Sequence, residues 1–235
     1  MNPIKYESRF LAGEMLTKFI KAKNEKLYHK IEQNYKDFFC YAIPNGGVPV
    51  VEGFCSQLKV QYDLLIVRKL KIPYNTEAGF GAVTTDGTVF FNQVLLNQLN
   101  LTEEQINQSV SITKDEIRQR VEVYRKNSKN SKIQDETIRN KNIFMIDDGL
   151  ASGFTMLAGV KMIRKYNPKS INIAVPTAPL RTIKSIEKEV KNIFCPNIRN
   201  VRWFAVADSY KHWYDVPDRE VLDIIKNSKC YKLNQ

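Results

Sequence analysis

Histidine and cysteine, the side chains that most often bind zinc, are scarce in this chain. The only histidines are His29 and His212, and the four cysteines lie far apart, without Cys-x-x-Cys spacing. Because protein zinc sites draw on such ligands at close spacing, neither a structural nor a catalytic zinc is expected. Reduced thiols fit a cytosolic protein better than a disulfide framework does.

Long hydrophobic runs are also missing, although 43% of the 235 residues are hydrophobic and 26% are charged. A membrane-spanning helix needs about 18 or more consecutive apolar residues, so no membrane association is expected. The polar N-terminus does not resemble a secretory signal. We therefore expect a cytoplasmic globular protein, and the length suits a single domain over residues 1–235.

The common nucleotide-binding motifs are absent as well. No Gly-x-x-x-x-Gly-Lys-Ser/Thr segment occurs, and the pair Gly79 and Gly81 lacks the third glycine of a dinucleotide fingerprint. A P-loop nucleotidase and a dinucleotide-binding enzyme are therefore disfavoured.

The net charge of +11 is the one unusual bulk property. Such a charge could attract a polyanion, either nucleic acid or a pyrophosphate ester. A solvated, lysine-rich surface without such a partner would give the same net charge. Nucleic acid therefore remains a possible partner, but the charge does not single it out.

Hydrophobic patterning predicts an α/β protein in which strands and helices alternate, as a parallel sheet requires. An amphipathic helix over 7–23 is expected to bury Phe10, Leu11, Met15, Phe19 and Ile20. Strands are predicted over 38–43, 62–67, 142–146, 171–175, 192–195 and 201–206. Further helices are predicted over 49–58, 155–166, 180–190 and 218–226.

An insertion separates the two halves of this alternation. Residues 83–91 carry a hairpin signal centred on Asp86 and Gly87. Thr102 and Gln105 form a capping box that opens a long polar helix over about 102–127. We expect a hairpin-plus-helix insertion in a parallel sheet flanked by helices.

The most informative segment is 143–155, in which an apolar strand ends in Asp147 and Asp148 and a glycine-containing loop leads into a helix. Gly149 and Gly153 let the backbone approach a ligand, and the N–H groups of the loop and helix start form an anion cradle. Two carboxylates beside it are poorly placed for phosphate but can accept hydrogen bonds from a vicinal diol. Phosphate on one side and diol on the other describe ribose 5-phosphate.

This pattern of four apolar residues, two acids, four variable residues and Gly-x-Thr resembles the signature of the type I phosphoribosyltransferases. Beyond this segment, the sequence resembles one poorly characterised branch of the family. That wider resemblance covers most of the chain, from about Arg9 to Val221. It implies binding of 5-phosphoribosyl-1-pyrophosphate (PRPP), with Asp147 and Asp148 on the ribose hydroxyls. The residues it assigns to the 5-phosphate are Gly149, Leu150, Ala151, Ser152, Gly153, Phe154 and Thr155.

The same resemblance implies a second anion site, for pyrophosphate. Asn45, Gly46 and Gly47 would supply its loop, and Arg68 and Lys69, directly after the strand 62–67, would supply a cationic clamp. Judged without the resemblance, the loop could equally be a plain glycine turn, and the two basic side chains could equally be solvated. The region 68–88 matches the flexible loop that closes over the sugar in these enzymes.

A small C-terminal hood is expected over about 196–235. Trp203, Phe204, Trp213 and Tyr214 could stack there on an acceptor ring, although aromatic residues at strand ends can equally be core. The 6-oxopurine enzymes carry aspartate three residues after the second acid, where this chain has Ala151. A hypoxanthine or guanine acceptor is therefore disfavoured.

The resemblance implies a transferase that passes ribose 5-phosphate from PRPP to a small-molecule acceptor, as in nucleotide metabolism. Magnesium would be held mainly by the substrate and water, with Asp147 and Asp148 as candidate ligands. A homo-oligomer is expected. Two alternatives stay open: a non-enzymatic PRPP sensor that binds nucleic acid, and a metal-dependent hydrolase that uses the two acids.

Overall fold

Strands and helices alternate along most of the chain, in the order that crossover connections require. The computed structural model describes residues 4–124 and 137–232. The strands are β1 (Phe38–Ala42), β2 (Tyr62–Leu64), β3 (Val67–Ile72), β4 (Asn75–Thr84), β5 (Val89–Phe91), β6 (Asn142–Ile146), β7 (Ser170–Ala174), β8 (Thr177–Pro179), β9 (Asn192–Phe194) and β10 (Asn197–Arg199). The helices are α1 (Arg9–Lys23), α2 (Glu25–Gln33), α3 (Gly47–Leu58), α4 (Gln93–Leu96), α5 (Glu103–Tyr124), α6 (Phe154–Arg164), α7 (Leu180–Ile186) and α8 (Asp218–Asn227).

The central sheet has five parallel strands in the order β2-β1-β6-β7-β9. Every residue of β1 and β6 is buried, as expected for strands covered on both faces. One face packs against α1, α3 and α8, and the other against α6 and α7. The predicted α/β class with a parallel sheet between helices is confirmed.

The register of the two middle strands fixes where the functional loops meet. Ala42 at the end of β1 pairs with Ile146 at the end of β6. The loops that follow these strands therefore leave the sheet side by side at its carboxyl edge, where ligands bind in open α/β sheets.

The insertion contains an antiparallel sheet in the order β3-β4-β5. The predicted hairpin is confirmed between β4 and β5, and Gly87 has the positive φ of 80° that its turn needs. Residues 68–88, expected as a loop, instead lie largely in β3 and β4. The long insertion helix is confirmed as α5 up to Tyr124; the rest of the range 102–127 lies outside the described residues.

The predicted strand over 62–67 is divided between two sheets. Leu64 pairs with Ala42 in the central sheet, whereas Val67 pairs with Thr84 in the antiparallel sheet. Arg68 and Lys69 therefore lie inside β3, not directly after a strand. The sequence could not reveal this division because one apolar run serves both sheets.

Two other local assignments were wrong. Residues 201–206 do not form a strand. The strand of this region is β10, which precedes residue 201 and pairs with β8, and a 3-10 turn follows at Val206–Ser209. Helix α2 was not predicted, and Asn24 caps it through a hydrogen bond from Leu27 N to its Oδ1 at 3.0 Å. No helix in the described residues is long and apolar enough to cross a membrane.

Helix α1 buries a face that only partly matches the one expected. Ile20 is buried as expected, and Ala12 and Leu16 are buried with it, whereas Phe10 and Met15 are each 39% exposed. Leu11, also expected in the core, is 42% exposed.

The cause is the close approach of α1 and α3 at two glycines. A Cβ on Gly13 would lie 2.1 Å from the carbonyl oxygen of Val50, and one on Gly53 would lie 2.0 Å from that of Phe10. The backbones are thus in direct contact, and this contact sets the rotation of α1 about its axis.

Gly13→Ala is expected to destabilise the protein by about 1–3 kcal/mol, because the new methyl group overpacks this contact. In an ordinary helix interior the same change would stabilise by about 1 kcal/mol, so the two explanations differ in sign. Urea unfolding measures the free energy of unfolding. Lys18→Ala, at an exposed position of α1, is the control and should change it by less than about 0.5 kcal/mol.

Candidate functional site

Asp147 and Asp148 follow β6 and lie against the loop that follows β1. A Cβ on Gly46 would be 2.0 Å from Oδ2 of Asp148, and one on Gly47 would be 3.0 Å from Cα of Asp147. Only glycine permits such contact. The loop predicted to bind pyrophosphate and the acids predicted to bind ribose therefore meet at one place.

The two acids differ in their electrostatic surroundings. Burial raises the pKa of Asp147 well above its ordinary value, and the neighbouring Asp148 raises it further. Burial also raises the pKa of Asp148, but the guanidinium of Arg9 opposes that rise. Arg9 Nε donates to Asp148 Oδ2 at 2.8 Å, and Asp147 Oδ1 accepts from the backbone N–H of Asp148 at 2.8 Å. Asp148 is thus held in place by Arg9, whose charge partly offsets the effect of burial on its pKa. Asp147 holds a proton more readily.

Arg9 is a site residue to which no sequence motif pointed. It begins α1, is 5% exposed, and is surrounded by aromatic rings. Its guanidinium carbon lies 4.2 Å from the ring centre of Trp213, 5.3 Å from that of Tyr214 and 5.4 Å from that of Tyr210. Such contacts stabilise a buried cation. Arg9 therefore connects the C-terminal aromatic residues to the acid pair.

Tyr210 adds a second connection between the hood and the acid pair. Its hydroxyl donates to the carbonyl oxygen of Asp148 at 2.7 Å. Burial raises the pKa of Tyr210 well above its ordinary value, and the Asp148 carboxylate raises it further, so the hydroxyl stays protonated as a donor.

The predicted hood aromatics separate into two groups. Trp213 and Tyr214 contact Arg9 and so lie beside the acid pair. Trp203 is 84% exposed, and the guanidinium of Arg202 lies over its ring. Residues 233–235 of the predicted hood lie outside the described residues.

The loop of residues 149–153 is anchored by hydrogen bonds with residues outside it. The N–H of Leu150 donates to the carbonyl of Thr177 at 3.0 Å, and Thr182 Oγ1 donates to the carbonyl of Ala151 at 2.6 Å. In the described part of the chain, the backbone N–H groups of residues 151–153 donate no hydrogen bond. Ala151 and Ser152 are exposed. These amides are thus available to an anion.

Gly153 and Phe154 join this loop to α6. Gly153 has a φ of 79°, which glycine adopts without strain, and it is the N-cap of α6. The ring of Phe154 packs against that of Phe90 in the hairpin, with centroids 6.2 Å apart. Thr155, in the first turn of α6, is partly exposed. The loop therefore ends at a helix N-terminus, where the helix dipole favours an anion.

Gly149 lies under the hood. A Cβ there would approach Cγ1 of Val206 to 2.7 Å and Cγ2 of Thr177 to 3.0 Å. This glycine therefore allows the 3-10 turn to pack onto the start of the loop.

Asn45 reaches towards the insertion. Its Nδ2 donates to Oδ1 of Asp218 at 2.8 Å, and its Oδ1 accepts from Arg120 at 2.7 Å and from the Tyr124 hydroxyl at 3.0 Å. The peptide bond between Pro44 and Asn45 is cis. The side chain of Asn45 thus holds the loop to α5 and α8, leaving the backbone and the glycines to face the acid pair.

Arg68 and Lys69 do not form one clamp. Arg68 faces α5, with its Nε 3.9 Å from Oε2 of Glu116. The stem of Lys69 lies over Gly79, where a Cβ would be 2.1 Å from its Cγ. Successive side chains of a strand point to opposite faces, so Arg68 lies on the α5 side and Lys69 does not.

A family model described as the phosphoribosyl transferase domain matches residues 13–213 of this sequence. The chain belongs to the phosphoribosyl transferase domain family. The match covers the acid pair, the loop 149–155 and the insertion. It confirms the family resemblance found in the sequence.

Two Mycobacterium tuberculosis proteins that carry the phosphoribosyl transferase name, Rv0571c and MT0597, are each 26% identical to it over 181 residues. The aligned part is 77% of this chain but 39% of those relatives, so the chain spans well under half their length. Among solved structures, TT1426 from Thermus thermophilus is similar with a TM-score of 0.72 and 22% identity, covering 94% of this chain and 97% of that one. This similarity shows a shared fold.

The acid pair supplies hard oxygen donors of the kind magnesium prefers. Among residues 4–124 and 137–232, no three His, Cys, Asp or Glu side chains come together as a metal site. One oxygen of Asp148 is already bonded to Arg9. The chain therefore fits a magnesium ion whose remaining ligands come from substrate and water.

Replacing Arg9 by methionine is expected to destabilise the protein by about 3–5 kcal/mol at pH 7, because it leaves Asp148 buried without its partner. The loss of the guanidinium raises the folded-state pKa of Asp148 further. Stability carried by a raised carboxyl pKa is lost as pH rises, so the destabilisation should be smaller at pH 5 than at pH 7. Urea unfolding at both pH values measures it.

Arg9→Lys is the matched control, since it keeps the charge but not the flat guanidinium over Trp213. It should lose less stability at pH 7 than Arg9→Met. An equal loss for Arg9→Met at both pH values would show that packing alone, without charge, accounts for the effect.

Proposed function

We propose that this protein transfers the ribose 5-phosphate group of PRPP to a small-molecule acceptor and releases pyrophosphate, with magnesium as cofactor. The observation that carries the proposal is the position of Asp147 and Asp148, which lie between an amide-lined loop and a glycine loop at one sheet edge. Family membership supports the same reaction class.

In this proposal the 5-phosphate binds at the start of α6. The N–H groups of residues 151–153 donate to its oxygens, the hydroxyls of Ser152 and Thr155 add donors, and the helix dipole favours the negative charge. A Cβ on Gly153 would lie 2.9 Å from Cγ2 of Thr182. Because glycine has no Cβ, the loop can stay close to the sheet edge.

The ribose hydroxyls bind the acid pair. Arg9 holds Asp148 in one orientation at 2.8 Å, and its positive charge favours the ionised form of this carboxyl group, so Asp148 is the stronger acceptor of the two for a sugar hydroxyl. Asp147 lies next to it and offers a second carboxyl group to the hydroxyls. The negative charge of the acid pair, which Asp148 carries more readily, stabilises the positive charge that develops on the sugar as pyrophosphate leaves.

Magnesium, when bound, would neutralise the pyrophosphate leaving group. Asp147 and Asp148 would hold it directly or through water. Arg68 would add positive charge on the side of the glycine loop. Closure of the antiparallel sheet region over the sugar would exclude water, so that the acceptor and not water attacks the anomeric carbon.

For the acceptor, Trp213 and Tyr214 are better placed than Trp203 and Phe204, because they contact Arg9 beside the acid pair. An acceptor ring would stack at this end of the site. Ala151 offers no carboxylate to a purine ring, so we propose an acceptor other than a 6-oxopurine.

The combined change Asp147→Asn and Asp148→Asn should weaken PRPP binding by about a hundredfold or more, because both carboxyl groups that hold the ribose hydroxyls are replaced by amides. Isothermal titration calorimetry with magnesium present measures the affinity, and circular dichroism checks that the fold is kept. Asp115→Asn with Asp223→Asn, at exposed positions, makes the same change in net charge. That control should bind PRPP as the wild type does, and unchanged affinity in the acid-pair variant would disprove the site.

Turnover separates an enzyme from a PRPP sensor. Pyrophosphate release should exceed one equivalent per protein when the correct nucleobase or small amine is added with PRPP and magnesium. Release of pyrophosphate and ribose 5-phosphate without any acceptor would instead indicate a hydrolase. Binding of PRPP without release across the acceptor panel would indicate a sensor.

A further inference from the structure

We propose that the insertion helix α5 belongs to the pyrophosphate-binding site, with Arg120 and Tyr124 as pyrophosphate ligands alongside Arg68. The inference rests on the proposed function and extends it, since neither residue is part of the phosphoribosyltransferase motif in residues 143–155. In the free protein, the carboxylate of Asp218 occupies the place of a phosphate oxygen between these side chains.

The position of Arg120 relative to the acid pair carries the first step. Arg120 donates to Asn45 Oδ1 at 2.7 Å, and the next residue, Gly46, touches Asp148. In PRPP the pyrophosphate is on C1, and the hydroxyls that the acids would hold are on the adjacent C2 and on C3. A leaving group on that carbon therefore lies by the glycine loop, which Arg120 and Tyr124 adjoin.

The charges around Arg120 are those of an anion site. Burial is the largest cause that lowers the pKa of Arg68, and the positive charge of Arg120 is the next largest. The two guanidiniums therefore lie close to each other. Two guanidiniums attract an anion between them, and pyrophosphate binds best to such a fork. Within the described residues, Nε of Arg68 is buried and has no hydrogen-bond partner. The free protein therefore leaves donor capacity unused here.

Asp218 shows where an anion fits. Its Oδ1 accepts from the Tyr124 hydroxyl at 2.6 Å, from Asn45 at 2.8 Å and from Arg120 at 3.1 Å. One carboxylate oxygen thus gathers three donors, as a phosphate oxygen would. Burial acts to raise the pKa of Asp218, but these donors and both arginines lower it overall, so the carboxylate stays charged. Asp218 is 44% exposed and can swing away towards solvent.

The partition of charges makes the proposal specific. Glu116 is shared between Lys71, at 3.1 Å, and Arg68, at 3.9 Å, so its single negative charge does not neutralise both arginines. Once Asp218 moves away, Arg68 and Arg120 present two positive charges to a single ligand. Pyrophosphate, with its magnesium, matches that charge better than a single carboxylate does.

Arg120→Gln tests the inference. It should weaken the binding of PRPP and of inorganic pyrophosphate by about tenfold or more, because a charge-assisted hydrogen bond is lost. The affinity for ribose 5-phosphate, which lacks the leaving group, should stay within about twofold. Calorimetry with magnesium present gives all three affinities on the same protein.

Arg118→Gln is the matched control. Arg118 is on the same helix, its replacement makes the same change in charge, and its side chain is 72% exposed and paired with Asp115. The control should leave all three affinities unchanged. Should Arg120→Gln fail to fold, Tyr124→Phe removes only a hydroxyl and should weaken pyrophosphate binding by about twofold to tenfold, again without affecting ribose 5-phosphate.

Asp218→Asn gives a result of opposite sign. Removing the competing negative charge should tighten pyrophosphate binding, whereas a purely structural role for this cluster predicts weaker binding. Weaker binding by Asp218→Asn, wild-type PRPP affinity in Arg120→Gln, or an equal loss of ribose 5-phosphate affinity would each overturn the inference. If those results come from a protein that binds PRPP, the proposed function stands; a wild-type protein that binds no PRPP overturns both.

Discussion

The ion pair between Arg9 and Asp148 joins three parts of the chain that are far apart in sequence. Arg9 starts α1, Asp148 follows β6, and the aromatic rings around the guanidinium belong to residues 210–214. A buried carboxylate without a cation is costly, and a buried cation needs both a counter-charge and a favourable surface. Each partner therefore requires the others, and the hood is held over the acid pair by the same contact that fixes the acid.

The second constraint is the parallel register of β1 and β6. With Ala42 beside Ile146, the loops after both strands leave the sheet together. Gly46 and Gly47 then touch the acids directly, and any larger residue would separate the two loops. A ribose held by the acids and a leaving group held by the glycine loop would lie one bond apart in the substrate, which is the geometry that displacement at the anomeric carbon needs.

The insertion has a role in this arrangement beyond covering the sheet. Its antiparallel strands carry Arg68, and α5 brings Arg120 and Tyr124 to the glycine loop. The positive charge near the acids thus comes from residues outside the parallel sheet.

The sequence by itself determined the α/β alternation, the hairpin and the segment 143–155, because each depends on residues that are neighbours in the chain. An apolar strand, two acids and a glycine loop retain their meaning wherever the sheet is placed. Only the tertiary structure decided the division of 62–67 between two sheets, the buried face of α1, and the roles of Arg9 and Arg120. Those depend on partners outside the local segment: Asp148 lies 139 positions from Arg9 and Asn45 lies 75 positions from Arg120, while α1 and the divided strand are set by contacts with other elements. A local pattern carries no information on such partners, since the same arginine could equally remain solvated on a helix surface.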